Sequence, residues 1–217
     1  MERTITVKRH GKISCVVDQA DLYVTISGRD PGCEAASSLA AERLSLLEQA
    51  AEGCGFHKKQ LITTSYQLQT EYEGWQDETG VYRNRISGFV CRHELRLSLP
   101  FDSALLSRTL TAIAQSGAEA ELRLEFTVAD KDEAKEALLA QAVITAKAEA
   151  EVLCRAAGVK LGDLLHMEYG VQAPEILSPT RLEATGAALM SKRTALPELS
   201  LEDIILEDDV TLTWAIG

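Results

Sequence analysis

The sequence predicts an α+β fold in which one mixed, largely antiparallel sheet carries three helices on one face. Several stretches alternate polar and apolar residues, which is the pattern of strands with one buried face. Three longer stretches repeat apolar residues at helical spacing. Strands and helices are interleaved around an antiparallel hairpin, and each element needs another to cover its apolar side.

The chain begins with a strand and a helix. Residues 13–27 form an alternating stretch that predicts a long strand, with a bulge or break near Asp18. Asp30 and Pro31 then predict a helix start. An Asp side chain can accept hydrogen bonds from backbone N–H groups of the first turn, and Pro is tolerated there because the N–H groups of the first turn have no partner within the helix. This first helix is expected to end at Gly53, a residue that readily takes a left-handed cap conformation.

A hairpin and a second helix follow. Residues 61–72 and 81–99 alternate as two strands, and the polar stretch between them is bounded by glycines, which predicts a long antiparallel hairpin. Asp102 begins a second helix that runs to Gly117. Residues 121–128 alternate strictly, as expected for a strand with one exposed face.

The longest helix is predicted over residues 130–157, with a stripe made mostly of alanine. Small residues allow a neighbouring element to approach closely, so we expect tight packing along this helix. Strands are predicted at residues 164–171 and 204–214. Residues 174–200 lack a stable period and are expected to form a long irregular connection within a single domain that spans residues 1–217.

Composition and charge limit the classes of function. The 217 residues are 46% hydrophobic and 25% charged, which is typical of a globular protein. A net charge of −11 repels polyanions, so we expect no nucleic-acid binding and no general binding to anionic membranes. No apolar run approaches the ~20 residues that cross a bilayer, so no membrane span is expected.

The N-terminal sequence bears on location. Residues 1–9 alternate polar and apolar side chains and lack the apolar core of a secretory signal, so the chain is expected to be cytoplasmic. If a leader has been removed from the natural protein, the expected location is instead the periplasm or the cell envelope.

The cysteines are odd in number and lack C-x-x-C spacing, which favours reduced thiols over a disulfide framework. One of them is a candidate reactive thiol: Cys33 falls in the first turn of the first helix, where the helix dipole favours a thiolate. Glu34 and the negative net charge oppose that preference. The five cysteines are Cys15, Cys33, Cys54, Cys91 and Cys154.

Two Cys/His pairs are candidates for half of a zinc site or for a nucleophilic dyad. Cys91 and His93 share one face of a strand, and Cys54 lies three residues before His57. Neither pair has the spacing of a strong metal motif, and no phosphate-binding loop, dinucleotide fingerprint or nucleophile elbow accompanies them. We therefore predict no metal, no cofactor and no catalytic residues, and expect these side chains to be packed in place.

Three aromatic residues surround the tip of the predicted hairpin: Tyr72, Trp75 and Tyr82. Exposed aromatic side chains on a loop indicate an interaction surface. A tip that folds back and packs its own aromatics is the alternative interpretation.

Several segments together resemble the SIMPL domain family, and the resemblance extends over essentially the whole chain. These segments are Val-Asp-Gln-Ala-Asp at 17–21, Tyr-Arg-Asn-Arg-Ile-Ser-Gly at 82–88, Ala-Lys-Ala-Glu-Ala at 146–150 with Ala-Ala-Gly-Val-Lys-Leu-Gly at 156–162, and the closing stretch at 204–216. The resemblance implies a family with no agreed catalytic residues. Some of its members are linked to oxidative-stress defence and some to oligomeric assemblies.

Two functions from different classes are compatible with the sequence. The leading hypothesis is a non-enzymatic protein that acts through homo-oligomeric assembly or by binding a protein partner, since long exposed strands invite pairing between subunits. The resemblance implies a link to stress response. The alternative is a small-ligand-binding protein or an enzyme with a pocket between the sheet and the helices.

Overall fold

A computed structural model of the protein describes residues 3–76, 82–170, 176–185 and 201–217. Helices and antiparallel sheets make up this part of the chain, which confirms the predicted α+β class. In chain order the elements are β1 (Thr4–Cys15), β2 (Gln19–Asp30), α1 (Cys33–Gly53), β3 (Leu61–Gln76), β4 (Tyr82–Pro100), α2 (Ser103–Gln115), β5 (Glu121–Thr127), α3 (Lys131–Ala157), β6 (Leu161–Tyr169), β7 (Arg181–Thr185) and β8 (Ile204–Ile216).

The chain divides into two compact units, each built from separate stretches of sequence. The first unit comprises Met1–Asp18, Thr127–Pro179 and Leu201–Gly217, and the second comprises Gln19–Phe126 and Thr180–Ser200. A compact unit that is assembled from distant stretches of sequence need not be an independent domain. The single domain expected over residues 1–217 therefore stays a prediction.

The first unit is a three-stranded sheet covered by one helix. Its strand order is β1-β8-β6, and β8 pairs antiparallel with both neighbours. Helix α3 begins at Asp130, whose side chain accepts the Glu133 N–H at 2.8 Å, and it ends at Gly158 in the left-handed conformation with φ 70°. Its alanine stripe packs on the apolar face of β1 and β8 and forms a core of Val7, Ala142, Ala146, Ala150, Val210, Leu212 and Trp214.

The second unit is a five-stranded sheet in the order β3-β4-β2-β5-β7. Strand β4 pairs antiparallel with β2 and β3, and helix α1 packs on β2 and β4. The contact is close at Gly28, where a Cβ atom would stand 2.7 Å from the backbone nitrogen of Ala40. Any larger residue at position 28 would therefore push α1 away from the sheet.

The strands of the described residues form two sheets, where the sequence predicted one sheet with all three helices on one face. Helix α3 packs on the first sheet and α1 on the second. The alternation along a strand shows which of its faces is apolar, but it does not show which strand lies beside it. The expected strand over residues 13–27 is accordingly two strands, one in each sheet, and the break falls at the predicted place. Asp18 lies in the link, where its carboxylate accepts the Ala129 N–H at 2.7 Å and its own N–H donates to the Thr127 carbonyl at 3.3 Å.

The segment expected to be irregular contains one strand. Residues 174–200 were predicted as a connection, and five of them, Arg181–Thr185, form β7 and pair antiparallel with β5. Their sequence does not alternate over a long enough stretch to predict a strand. Most of the remaining predicted connection lies outside the described residues.

Candidate functional site

The β3–β4 hairpin is the longest feature of the second unit. Its strands contain 16 and 19 residues, and they pair antiparallel from Leu61–Leu97 to Gln76–Tyr82. Register shifts interrupt the pairing between Thr63 and Ser65 and again between Glu71 and Tyr72. Because β3 is the outer strand of its sheet, the backbone edge that faces away from β4 has no strand partner in the described part of the chain.

One face of the hairpin changes from buried to exposed along its length. Near α1, this face carries Cys91 and Leu95, which are fully or almost fully buried. On β3 the partner of Cys91 is the exposed Leu68, and the partner of His93 is the exposed Tyr66. Further toward the tip the apolar face continues without cover. The exposed apolar residues of this face, named here the hairpin face, are Tyr66, Leu68, Tyr72, Tyr82 and Ile86.

The hairpin face is open because α1 packs on β2 and β4 and does not cover β3. Tyr66 is 57% exposed and Tyr82 79%, which are high values for side chains of this size. A contiguous exposed apolar surface of this kind is typical of sites where proteins bind other proteins.

The three aromatic residues singled out in the sequence are all exposed, but they do not form one cluster. Side chains alternate along β3, so Tyr72 and Trp75 lie on opposite faces of the hairpin. Tyr82 is the partner of Gln76 and therefore shares the face of Tyr72. Among the described residues, no ring contact joins any two of the three.

Charges near the tip are largely paired with one another. Arg85 contacts Glu73 across the hairpin, and Arg29 of β2 forms an ion pair with Glu71 at 2.7 Å. By contrast, residues 61–70 of β3 contain no charged side chain and no proline. Charged residues, prolines and bulges commonly protect edge strands from pairing with other chains. This stretch has no charge and no proline, and its register shift between Thr63 and Ser65 leaves residues 65–70 as the regularly paired part.

Cys33, the candidate reactive thiol, is the first residue of α1 and is exposed. Of the other cysteines, Cys15 is partly exposed, and burial together with the nearby Asp203 carboxylate raises the pKa of its thiol. The remaining three, Cys54, Cys91 and Cys154, are buried. Accessibility therefore distinguishes Cys33 from the rest, and its reactivity stays a prediction.

The Cys/His pairs are held by separate contacts. His93 forms a hydrogen bond with the Thr63 hydroxyl at 2.8 Å and packs edge-on against the Tyr66 ring, and its burial lowers its pKa. The Cys54 thiol lies 3.9 Å from the Arg108 carbonyl oxygen, to which it donates. Within the described ranges no three metal-ligating side chains come together.

Two buried carboxylates were not singled out from the sequence. Asp21 is 2% exposed and accepts hydrogen bonds from Ser98 Oγ at 2.6 Å and from Gln19 Nε2 at 2.9 Å. Glu125 is also buried and is paired with Arg123. The signal in the sequence is an acidic residue within an otherwise apolar strand. A carboxylate buried in such a strand requires hydrogen-bond or ion-pair partners, which the neighbouring polar side chains supply.

A groove opens in the first unit between α3 and the sheet. It has a volume of about 460 Å³, and its floor is formed by Leu212 and Trp214 of β8. The alternative hypothesis from the sequence, a small-ligand-binding protein or an enzyme, places its pocket in such a position between sheet and helix. The other lining residues are Val143, Lys147, Glu151, Leu161, Gly162, Asp163 and Leu164.

The described residues thus define an α+β protein with an exposed apolar hairpin and an open groove. None of its helices, over the ranges described, is long and apolar enough to cross a membrane. Comparison with protein families gives a match over residues 5–214 to SIMPL, a protein family of unknown function (DUF541). The chain belongs to the SIMPL family, as the sequence segments predicted. A search of curated proteins finds no match.

Proposed function

We propose that this protein acts by assembling with further copies of itself through the outer edge of β3 and the adjoining hairpin face. The observation that carries the proposal is a long outer strand whose residues 61–70 are uncharged and whose neighbouring face is apolar and exposed. An outer strand can extend its sheet by pairing its free backbone groups with a strand of another chain.

The charge distribution restricts contact between two copies to the uncharged part of β3. With a net charge of −11, two copies repel each other over most of their surfaces. Residues 61–70 form an uncharged strip, along which two identical strands can pair without placing like charges opposite each other. Burial of Leu68 and Tyr66 between copies would add a hydrophobic contribution to that pairing.

The experiment is sedimentation velocity over a range of protein concentrations up to high micromolar. We expect the wild-type chain to sediment as an oligomer. Leu68→Lys places a charge in the uncharged strip, on a side chain that is 45% exposed, so the variant should fold normally and sediment as a monomer. Ile144→Lys is the matched control, since Ile144 is an exposed apolar residue of α3 and its change should leave the oligomer intact.

Either of two results would contradict the assembly: a wild-type monomer at every concentration, or an oligomer that Leu68→Lys leaves unchanged. If the wild type is a monomer and a protein partner binds in a manner that Leu68→Lys abolishes, the hairpin face serves that partner instead of a second copy.

The proposal includes a reducing location and an indirect role in stress defence. Five free cysteines support a reducing compartment such as the cytoplasm. The link to stress is supported only by the resemblance to family members with such roles. Loss of the protein should then sensitise cells to oxidant, and the Leu68→Lys variant should fail to restore resistance while the Ile144→Lys variant restores it.

A further inference from the structure

The groove between α3 and the sheet combines an apolar floor with a charged rim. Leu212 is fully buried and Trp214 is 4% exposed, so the floor is made by side chains that already belong to the core. Val143 and Leu161 extend the apolar lining from α3 and β6. A groove of about 460 Å³ that combines apolar and charged lining is within the range of small-molecule sites.

Irregular pairing of β6 shapes one wall of the groove. The register between β6 and β8 shifts between Leu161 and Leu164 and again between Leu164 and His166. At Gly162 a Cβ atom would stand 3.0 Å from the Ala215 carbonyl oxygen, so the absence of a side chain permits close approach of the two backbones. Such irregularities redirect side chains, and here Asp163 and Leu164 both line the groove.

The rim carries more negative than positive charge. Glu151 of α3 and Asp163 of β6 contribute two carboxylates, and Lys147 contributes one ammonium group. Within the described residues, none of the three has an ion-pair partner within 4.0 Å. The net charge of −11 adds to the negative potential, which favours a cation over an anion.

We propose that this groove binds an organic amine, a single ammonium group attached to an apolar chain or ring. The apolar part would lie against the accessible side chains of Val143, Leu161 and Leu164, above the Trp214 floor, and the ammonium would lie near the Glu151 and Asp163 carboxylates. Lys147 on the same rim disfavours ligands with a second positive charge, so the site selects monoamines over polyamines. This site lies in the first unit and does not depend on the proposed assembly through β3.

The test uses Trp214 as the reporter. The chain has two tryptophans, and Trp75→Phe removes the other, which lies on the hairpin. In this background Trp214 emission is titrated with octylamine, octanol and octanoate, which share an eight-carbon chain and differ in charge. We expect a saturable change with octylamine and an apparent Kd about tenfold lower than for octanoate, with octanol between them.

Charge removal from the rim provides the second measurement. The double variant Glu151→Gln with Asp163→Asn should weaken octylamine binding about tenfold and leave octanol binding unchanged, which also shows that the groove is folded. Asp132→Asn is the control, since its side chain is 91% exposed on the same helix and lies outside the groove. The proposal is overturned if octylamine gives no saturable change, if octanoate binds as tightly, or if the double variant and the control behave alike.

Discussion

Gly11 of β1 lies directly against Ala142 of α3, so that a Cβ atom on Gly11 would stand only 2.6 Å from the Ala142 Cβ. This contact explains why the longest helix presents alanines to the sheet. Small residues on both sides allow the helix and sheet backbones to approach closely, and that approach buries Val210 and Leu212.

The first prediction concerns this contact. Ala142→Leu should lower the free energy of unfolding by about 1–3 kcal/mol, because the added atoms have no space beside Gly11. Ala140→Leu, on the exposed side of the same helix, is the control and should change stability little. Urea denaturation measures both, and equal stabilities for the two variants would show that α3 does not pack as described.

The second prediction concerns two histidines whose pKa values should move in opposite directions. A hydrogen bond to Asp209, and to a smaller extent one to Glu207, raises the pKa of His10, whereas burial lowers the pKa of His93. An NMR titration of the ring protons should therefore place His10 above and His93 below the ordinary value of about 6.5. Asp209→Asn should bring the pKa of His10 back toward that value.

The same shift gives a pH dependence of stability. Because the folded pKa of His10 is raised, its contribution is fully present below the unfolded pKa and is lost as pH rises through the folded pKa. His10→Gln should therefore lower the Tm at acidic pH and have little effect at alkaline pH. A Tm difference that does not depend on pH would contradict this assignment.

The third prediction concerns thiol reactivity. At neutral pH, Ellman's reagent should label one thiol rapidly, and Cys33→Ser should abolish that phase, because Cys33 is the exposed cysteine. Cys15→Ser is the matched control and should retain it, since the Cys15 thiol is partly buried and its pKa is raised. Labelling of Cys33 no faster than that of a free cysteine peptide would end the idea of a redox sensor.

The fourth prediction concerns the start of α2. The Asp102 carboxylate accepts the N–H groups of Ala104 and Leu105 at 2.8 and 2.9 Å. Asp102→Ala should therefore lower the free energy of unfolding by about 1 kcal/mol, whereas Asp102→Asn retains an acceptor and should cost less. Thermal or urea unfolding measures both variants, and no loss of stability with Asp102→Ala would show that the cap does not stabilise the helix.

Local patterns in the sequence were enough to predict the α+β class, the three helices, the hairpin and the family. The ends of α2 and α3 were readable because Asp102, Asp130 and Gly158 satisfy backbone groups within a few residues of themselves. The expected start of α1 at Asp30 was wrong, because Asp30 is the last residue of β2 and the helix begins at Cys33 without a side-chain cap. The break near Asp18 was readable for a similar reason, since a polar run interrupts the alternation.

The pairing of strands was decided only by the tertiary structure. The β1–β8 pair joins Thr4 to Ala215, and no local pattern specifies a partner so distant in sequence. The candidate sites depend on such pairing. The sequence could name Tyr72 and Tyr82, but their shared face follows from the register of β3 and β4, and the groove over Trp214 exists only where β6 and β8 meet α3. The sequence by itself thus determined which residues are apolar and which stretches form the three helices and the hairpin. Long-range packing decided which apolar faces are covered and which are left open, because burial depends on neighbours that are remote along the chain.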